Sequence, residues 1–171
     1  IIREFKGKQR FKILRDYIFC NTTEIKFEPL AYSTSRMDGK LPNVFCADEV
    51  GALPNSYAIE AMRSGQLNIL NKLGCIISTK YPTLNNPFED EVDYSKKVLD
   101  GLITDETRFS LLYEPDNTKD WMTDDLILQQ ANPVALESKE IWDDLLKKRA
   151  YAIAVESARE NFVTKHCNII Y

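Results

Sequence analysis

A small set of side chains has the types and spacing to do chemistry together. Asp48 and Glu49 close the short apolar run "VFCADEV" (Val44–Val50), and Ser78 and Thr79 close a second run, "CIISTK". Arg36 lies in "STSRMDGKLP", ahead of the first run. An acid at a strand end can hold Mg²⁺ directly or through water. Its neighbour can orient and deprotonate a water for attack on a phosphoryl group, and a loop arginine can reach the transferring phosphate. Hydroxyls at the end of an adjacent strand can sense that phosphate or the water. Each feature also has a plainer reading. Strands often end in acids or hydroxyls, and Arg36 can pair with Asp38 or lie in solvent. Two strand ends converging on one crevice are more specific than either alone.

Other residues draw attention and lead elsewhere. The single histidine, His166, has no GxSxG elbow to serve, which argues against a catalytic triad. The acidic group Glu89, Asp90, Glu91 and Asp93 reads as the dipole-favoured first turn of a helix rather than a metal cluster. Cys20, Cys46, Cys75 and Cys167 form no CxxC pair, which argues against zinc. Cys46 and Cys75 sit in apolar runs and are expected to be small buried residues, as in a reducing cytoplasm. Trp121 and Trp142 are expected to be core anchors.

The elements that must place the candidate residues follow from periodicity and punctuation. Arg3 to Asp16 reads as a basic amphipathic helix, weakened by Gly7. Tyr17–Cys20 and Glu24–Phe27 read as short strands around Asn21-Thr22-Thr23. Asn43–Ala47 and Leu73–Ser78 are expected as buried strands, and Arg108–Tyr113 as a third. Helices are expected near Asn55–Ser64, Phe88–Leu99 with Gly101 closing it, a short one capped by Thr123 and ended by Pro133, and one begun by Ser138 with Ile141, Trp142, Leu145 and Leu146 inward. A last helix is expected over Ala152–Thr164, and "CNIIY" reads as the start of a strand. Strand–helix–strand–helix–strand makes an α/β fold with a largely parallel sheet, trailed by a helical subdomain. In such sheets ligands sit beyond the carboxyl ends of the strands, where Asp48 and Glu49 fall.

The bulk properties fit one domain or a large piece of a bigger one: 171 residues, 44% hydrophobic and 28% charged. No apolar stretch approaches the ~20 residues of a membrane span. The charged start "IIREFKGKQRFK" is no signal peptide, and without an initiator Met the chain reads as a fragment. Residues 1–40 carry 9 basic and 5 acidic side chains, whereas 48–125 carry 7 and 15. The basic end could touch phosphates but is more simply a solvated face, and the acidic middle argues against nucleic acid lying over it. The apolar run followed by Asp-Glu is the Walker B arrangement. Its usual companion is missing: the six glycines form no GxxxxGK[ST] loop. If the chain belongs to an ATPase, the phosphate-holding half lies outside it.

Taken in order, the segments resemble the ATPase portion of the phage large terminase subunit. The likeness runs through "FKGKQRFKIL", "STSRMDG", "VFCADEV", the coupling-motif-like "IISTKYPT", "KKVLDGLITDETRFSLLYE", "W…QQANP" and "ENFVTKHCNIIY". "W…ANP" followed by "F.TKH.N" is more distinctive than any Asp-Glu pair. The resemblance implies part of a P-loop NTPase of the RecA/ASCE type. Residues 1–115 would be the later part of the ATPase core, and 116–171 a helical subdomain leading to an absent RNase H-like nuclease. It implies ATP and Mg²⁺ as cofactors, with Asp48 helping to hold the metal, Glu49 activating water, and Ser78 and Thr79 coupling hydrolysis to domain motion. Arg36 falls near the place of a trans-acting arginine finger. Implied partners are double-stranded DNA, a portal protein, a small terminase subunit and further copies in a ring, all in the cytoplasm of a bacterial host. The Walker A part would lie upstream of Ile1, so the isolated fragment would be inactive. Two alternatives stay open: a non-catalytic interaction or remnant domain in which Asp48 and Glu49 are polar caps, and another P-loop motor such as a helicase.

Overall fold

A computed structural model describes residues 10–171 of the chain. The expected helix over Arg3–Asp16 lies partly outside these residues, and the described part contradicts it. Phe11–Ile13 is a strand, β1, that pairs antiparallel with β2 (Ile18–Cys20) in the register Phe11↔Cys20 and Ile13↔Ile18. A tight turn closed by the Leu14 N–H on the Tyr17 carbonyl joins them. β2 pairs in turn with β3 (Lys26–Phe27), so the polar turn at Asn21–Thr23 does connect two strands. Alternating apolar residues at 11, 13, 18 and 27 suit a pleated ribbon, and pairing overrides the helical reading of "FKIL".

The two central apolar runs form the expected strands, β4 (Val44–Asp48) and β5 (Leu73–Ile77). They pair parallel from Val44↔Leu73 to Asp48↔Ile77. Their crossover contains α2 (Tyr57–Gly65), preceded by the four-residue α1 (Thr34–Met37) ahead of β4. Among the described residues this parallel pair stands apart from the antiparallel meander, so the sheet is smaller and less parallel than expected. Phe45 is buried with Met37, Ala58 and Met62, and Ala47 packs partly against them. The alternate positions face outward: Val44, Leu73 and Ile77 are all more than half exposed. Cys46 and Cys75 share that face and are exposed, contrary to expectation. Period 2 decides this, because residues two apart in a strand share a face, and only one face of the pair is covered by a helix.

The expected third strand, Arg108–Tyr113, is not one. Its period-2 pattern is real, with Phe109 84% exposed and Leu111 63%. The inward residues meet a helix instead of a sheet. Arg108 donates to the Glu91 carboxylate at 2.7 Å and to Ser95 at 3.0 Å, and Ser110 hydrogen-bonds Ser95. Those partners lie on α3 (Pro87–Leu99). Asn86 caps that helix by accepting from the N–H groups of Phe88 and Glu89, and Gly101 at φ 72° ends it as expected. Glu89 and Asp90 occupy its first turn, as the sequence implies.

The C-terminal part is helical. α4 (Asp125–Ala131) is capped by Asp124 rather than Thr123, and Pro133 follows its end. α5 (Lys139–Ala154) begins at the expected cap, Ser138, whose hydroxyl accepts from the Ile141 N–H. Leu145 is inward, whereas Ile141 is 45% exposed. The last helix is displaced. α5 runs on to Ala154, a 3₁₀ turn (Glu156–Ala158) follows, and α6 covers Arg159–His166. Arg159 donates to the carbonyls of Ala152 and Ile153, satisfying the end of α5 where no glycine or proline marks a stop. "CNIIY" is not a strand. Asn168, at φ 55°, turns the chain, and Ile169 enters the core with Trp121, Ile127, Leu128, Leu145, Phe162 and Val163. Trp121 and Phe162 meet at 5.7 Å between ring centres, so Trp121 is a core anchor, with Trp142 packed at the margin. Each fully buried side chain such as Ile127 or Leu128 stabilises this unit by roughly 1.5–3 kcal/mol.

Candidate functional site

The parallel register sets Asp48 beside Ile77, so the residues that follow each strand emerge side by side. β4 ends abruptly. Asp48 Oδ1 accepts the Glu49 N–H at 2.9 Å, and Glu49 adopts a left-handed backbone, φ 56° and ψ 40°, before a 3₁₀ turn (Val50–Ala52). That conformation is uncommon for a residue with a long side chain. Across from it, Ser78 accepts the Gly51 N–H at 3.0 Å and donates to the Thr79 carbonyl at 3.0 Å. The two strand ends are thereby tied backbone to hydroxyl.

The carboxylate of Glu49 and the hydroxyl of Thr79 converge on one cation. Lys165 Nζ lies 3.1 Å from Thr79 Oγ1 and 3.5 Å from Glu49 Oε2. The same Oε2 accepts from the Tyr81 hydroxyl. Lys165 also sits 3.3 Å from the centre of the Tyr81 ring, a cation–π contact. Glu49 Oε1 makes no hydrogen bond among the described residues and is the oxygen available to a water. Both Asp48 and Glu49 are exposed, so the site is an open surface. The cavity of about 420 Å³ between the loop after α1 and α2, lined by Asp38, Lys40, Tyr57, Glu60 and Gly65, does not include them.

Lys165 is delivered by α6, whose Phe162, Val163 and Thr164 are buried. The helix is locked to the sheet end by Asn168, whose Oδ1 accepts the Lys80 N–H at 3.1 Å and whose Nδ2 donates to the Tyr113 carbonyl at 2.8 Å. Asn132 of "QQANP" donates to the His166 carbonyl at 2.7 Å. The two distinctive late segments are therefore packed on one another, and one of them abuts the strand ends. Beside them, Lys80 is buried and paired with Glu89 at 2.5 Å, which accounts for one of the acids at the start of α3. Glu91 is held by Arg63 at 2.8 Å and Arg108 at 2.7 Å. Its burial opposes ionisation, and the two arginines more than offset that, holding the carboxyl below its ordinary range.

The structure brings together Asp48, Glu49, Ser78 and Thr79 and leaves Arg36 aside. Arg36 is exposed on α1, and none of the hydrogen bonds or ion pairs at the other four involves it. Lys165, Tyr81, Gly51 and Asn168 were not legible as site residues. "FVTKHCN" was visible as a segment, but nothing in its spacing says which strand it meets. Among the described residues no three His, Cys, Asp or Glu side chains converge to hold a metal. Asp48 can thus offer one carboxylate, a donor set suited to Mg²⁺, which takes one or two carboxylates and keeps waters and substrate phosphates for the rest.

A short parallel strand pair with a crossover helix, its carboxyl ends carrying acids and hydroxyls and meeting a helical unit there, defines a mixed α/β fold. Among solved structures, the chain is similar to the crystal structure of the HK97 bacteriophage large terminase, with a TM-score of 0.72 and 20% sequence identity. The likeness covers 94% of this chain and 33% of that one, so the chain spans about a third of the length of the terminase it matches. At this identity the finding is one of shared fold, and at that level the resemblance seen in the sequence holds. No protein-family model matches the chain, and comparison with curated protein sequences finds no match. No helix among the described residues is long and apolar enough to cross a membrane.

Proposed function

We propose that the chain is the water-activating and coupling part of a phage large terminase ATPase, the motor that drives DNA into a procapsid. The observation that carries this reading is the convergence of Glu49 and Thr79, from the ends of two adjacent parallel strands, on Lys165. In this reading Glu49 Oε1 takes a proton from a water. The water oxygen bonds to the γ-phosphorus of ATP as the bond from that phosphorus to the bridging oxygen breaks, and ADP leaves with the electron pair. Mg²⁺, held through Asp48, supplies neutralising charge at the phosphates when bound. Ser78 and Thr79 carry the altered contacts at the strand ends to the helical unit. Arg36, exposed and outside the cluster, is available to a neighbouring copy as an arginine finger.

The phosphate-binding loop belongs to residues outside this sequence, as does the nuclease domain. Residues 1–115 would then be the later part of the ATPase core and 116–171 the helical subdomain. Double-stranded DNA, a portal protein, a small terminase subunit and further copies in a ring are the partners of the intact motor, working in the host cytoplasm. Glu49→Gln in the full-length protein tests the assignment. Turnover should be abolished with ATP binding largely intact, because the amide keeps the shape and removes the base. A normal rate in that variant ends the reading. Residues 1–171 alone should hydrolyse ATP negligibly.

A further inference from the structure

We propose that Lys165 and Tyr81 are positioning residues for Glu49, so that the aim of the carboxylate depends on how α6 seats against the strand ends. The inference rests on the motor reading above and deepens it. Three observations carry it. Glu49 stands in a left-handed turn with its side chain 59% exposed, and a carboxylate in that setting samples many rotamers unless it is held. Two donors hold the same oxygen, the Tyr81 phenol and the Lys165 ammonium, leaving the other for water. The ammonium is itself fixed, stacked on Tyr81, bonded to Thr79 and carried on a helix whose neighbouring residues are buried.

Stability does not account for the arrangement. An ion pair at 3.5 Å with so exposed a carboxylate contributes little to folding. Gly51 adds an independent sign that Tyr81 is meant to lie where it does. A Cβ at that position would overlap the Tyr81 ring, so the turn after Glu49 leaves room for the phenol. The groups facing Glu49 come from the loop after β5 (Thr79 and Tyr81) and from α6 (Lys165). A small shift of α6, tied to the Lys80 backbone through Asn168, would therefore move both the cation and the carboxylate. Helix seating is thus converted into catalytic geometry without a new contact.

The test uses the full-length protein and ATP. Lys165→Met and Tyr81→Phe should each lower kcat by about tenfold with little change in KM, and Lys165→Arg should restore part of the loss. Unchanged or raised kcat in both variants, with Glu49→Gln dead, overturns the positioning role and leaves the motor reading standing. Normal turnover in Glu49→Gln overturns both. The contact is read separately by NMR of labelled lysine. The ε-methylene protons of Lys165 should be shifted upfield by the Tyr81 ring and should lose that shift in Tyr81→Leu; an ordinary shift in the wild type removes the clamp regardless of the assays.

Discussion

Lys165, near the end of the penultimate stretch of the chain, sets its ammonium 3.1 Å from the hydroxyl of Thr79, 86 positions earlier. Through that contact the helical unit reaches the chemistry-bearing end of the parallel strands. The same neighbourhood holds the Asn168 bridge and the Tyr81 phenol, so the join between the two parts of the molecule and the candidate site are one structure.

Gly51 should tolerate no side chain. In Gly51→Ala the new methyl meets the Tyr81 ring and must displace it. We expect a loss of about 1–3 kcal/mol in urea denaturation and a lower ATPase rate in the full-length protein. A Gly51→Ala/Tyr81→Leu double variant should recover most of the stability and none of the rate. Strict additivity of the two changes in stability would show that the ring is not the obstacle.

Asn168→Ala removes both hydrogen bonds of the bridge and places a less suitable residue at φ 55°. A half-buried hydrogen bond is worth about 0.5–1.5 kcal/mol, so losing the bridge should lower Tm by a few degrees. Asn168→Gly suits the backbone and should fall less far. Equal thermal shifts for the two would place the whole cost in the hydrogen bonds.

The thiols should react in a fixed order. Hydrogen bonds from Thr22, then Thr23, lower the Cys20 thiol to about 6, and the residue is half-buried at the surface. Burial pushes Cys167 up to about 12. Iodoacetamide at neutral pH should modify Cys20 first, Cys46 and Cys75 more slowly, and Cys167 only on unfolding. Mass spectrometry of a time course checks this, and early labelling of Cys167 would contradict its place in the core.

His166 should make stability fall with acid. Burial, with Lys148 nearby, depresses its imidazole below the ordinary value, and Asp144 opposes this only in part. The unfolded chain therefore binds the proton more readily. Stability is full above the unfolded value of 6.5 and declines as pH falls from there toward the folded value. His166→Gln should flatten this slope in denaturation curves taken on either side of that pH. An unchanged slope would assign the acid sensitivity to other groups.

Much of this was legible in the residues. "VFCADEV" and "LGCIIS" announce short strands by apolar run and flanking acids or hydroxyls, and they are β4 and β5, though only Phe45 among their residues is buried. Ser138 and Gly101 mark helix ends by their hydroxyl and by their freedom at positive φ. Other readings failed where pairing decides. "RFSLLY" has the alternation of a strand, but its polar face found Glu91 and Ser95 on a helix, and no strand lies beside it among the described residues. "FKIL" has helical spacing, but antiparallel pairing with Ile18–Cys20 took it. Cys46 and Cys75 were read as buried because their neighbours are apolar, yet a face is buried only if something covers it.

The sequence by itself determined the local types: which runs extend, where helices start, which acids and hydroxyls stand at strand ends. These depend on neighbours a few positions apart. Only the tertiary structure decided that Lys165 and Tyr81 meet at Glu49, that Arg36 stands aside, and that Asn168 joins α6 to the loop after β5. Such contacts join residues tens of positions apart, and their geometry is set by how whole helices pack, which no local pattern encodes.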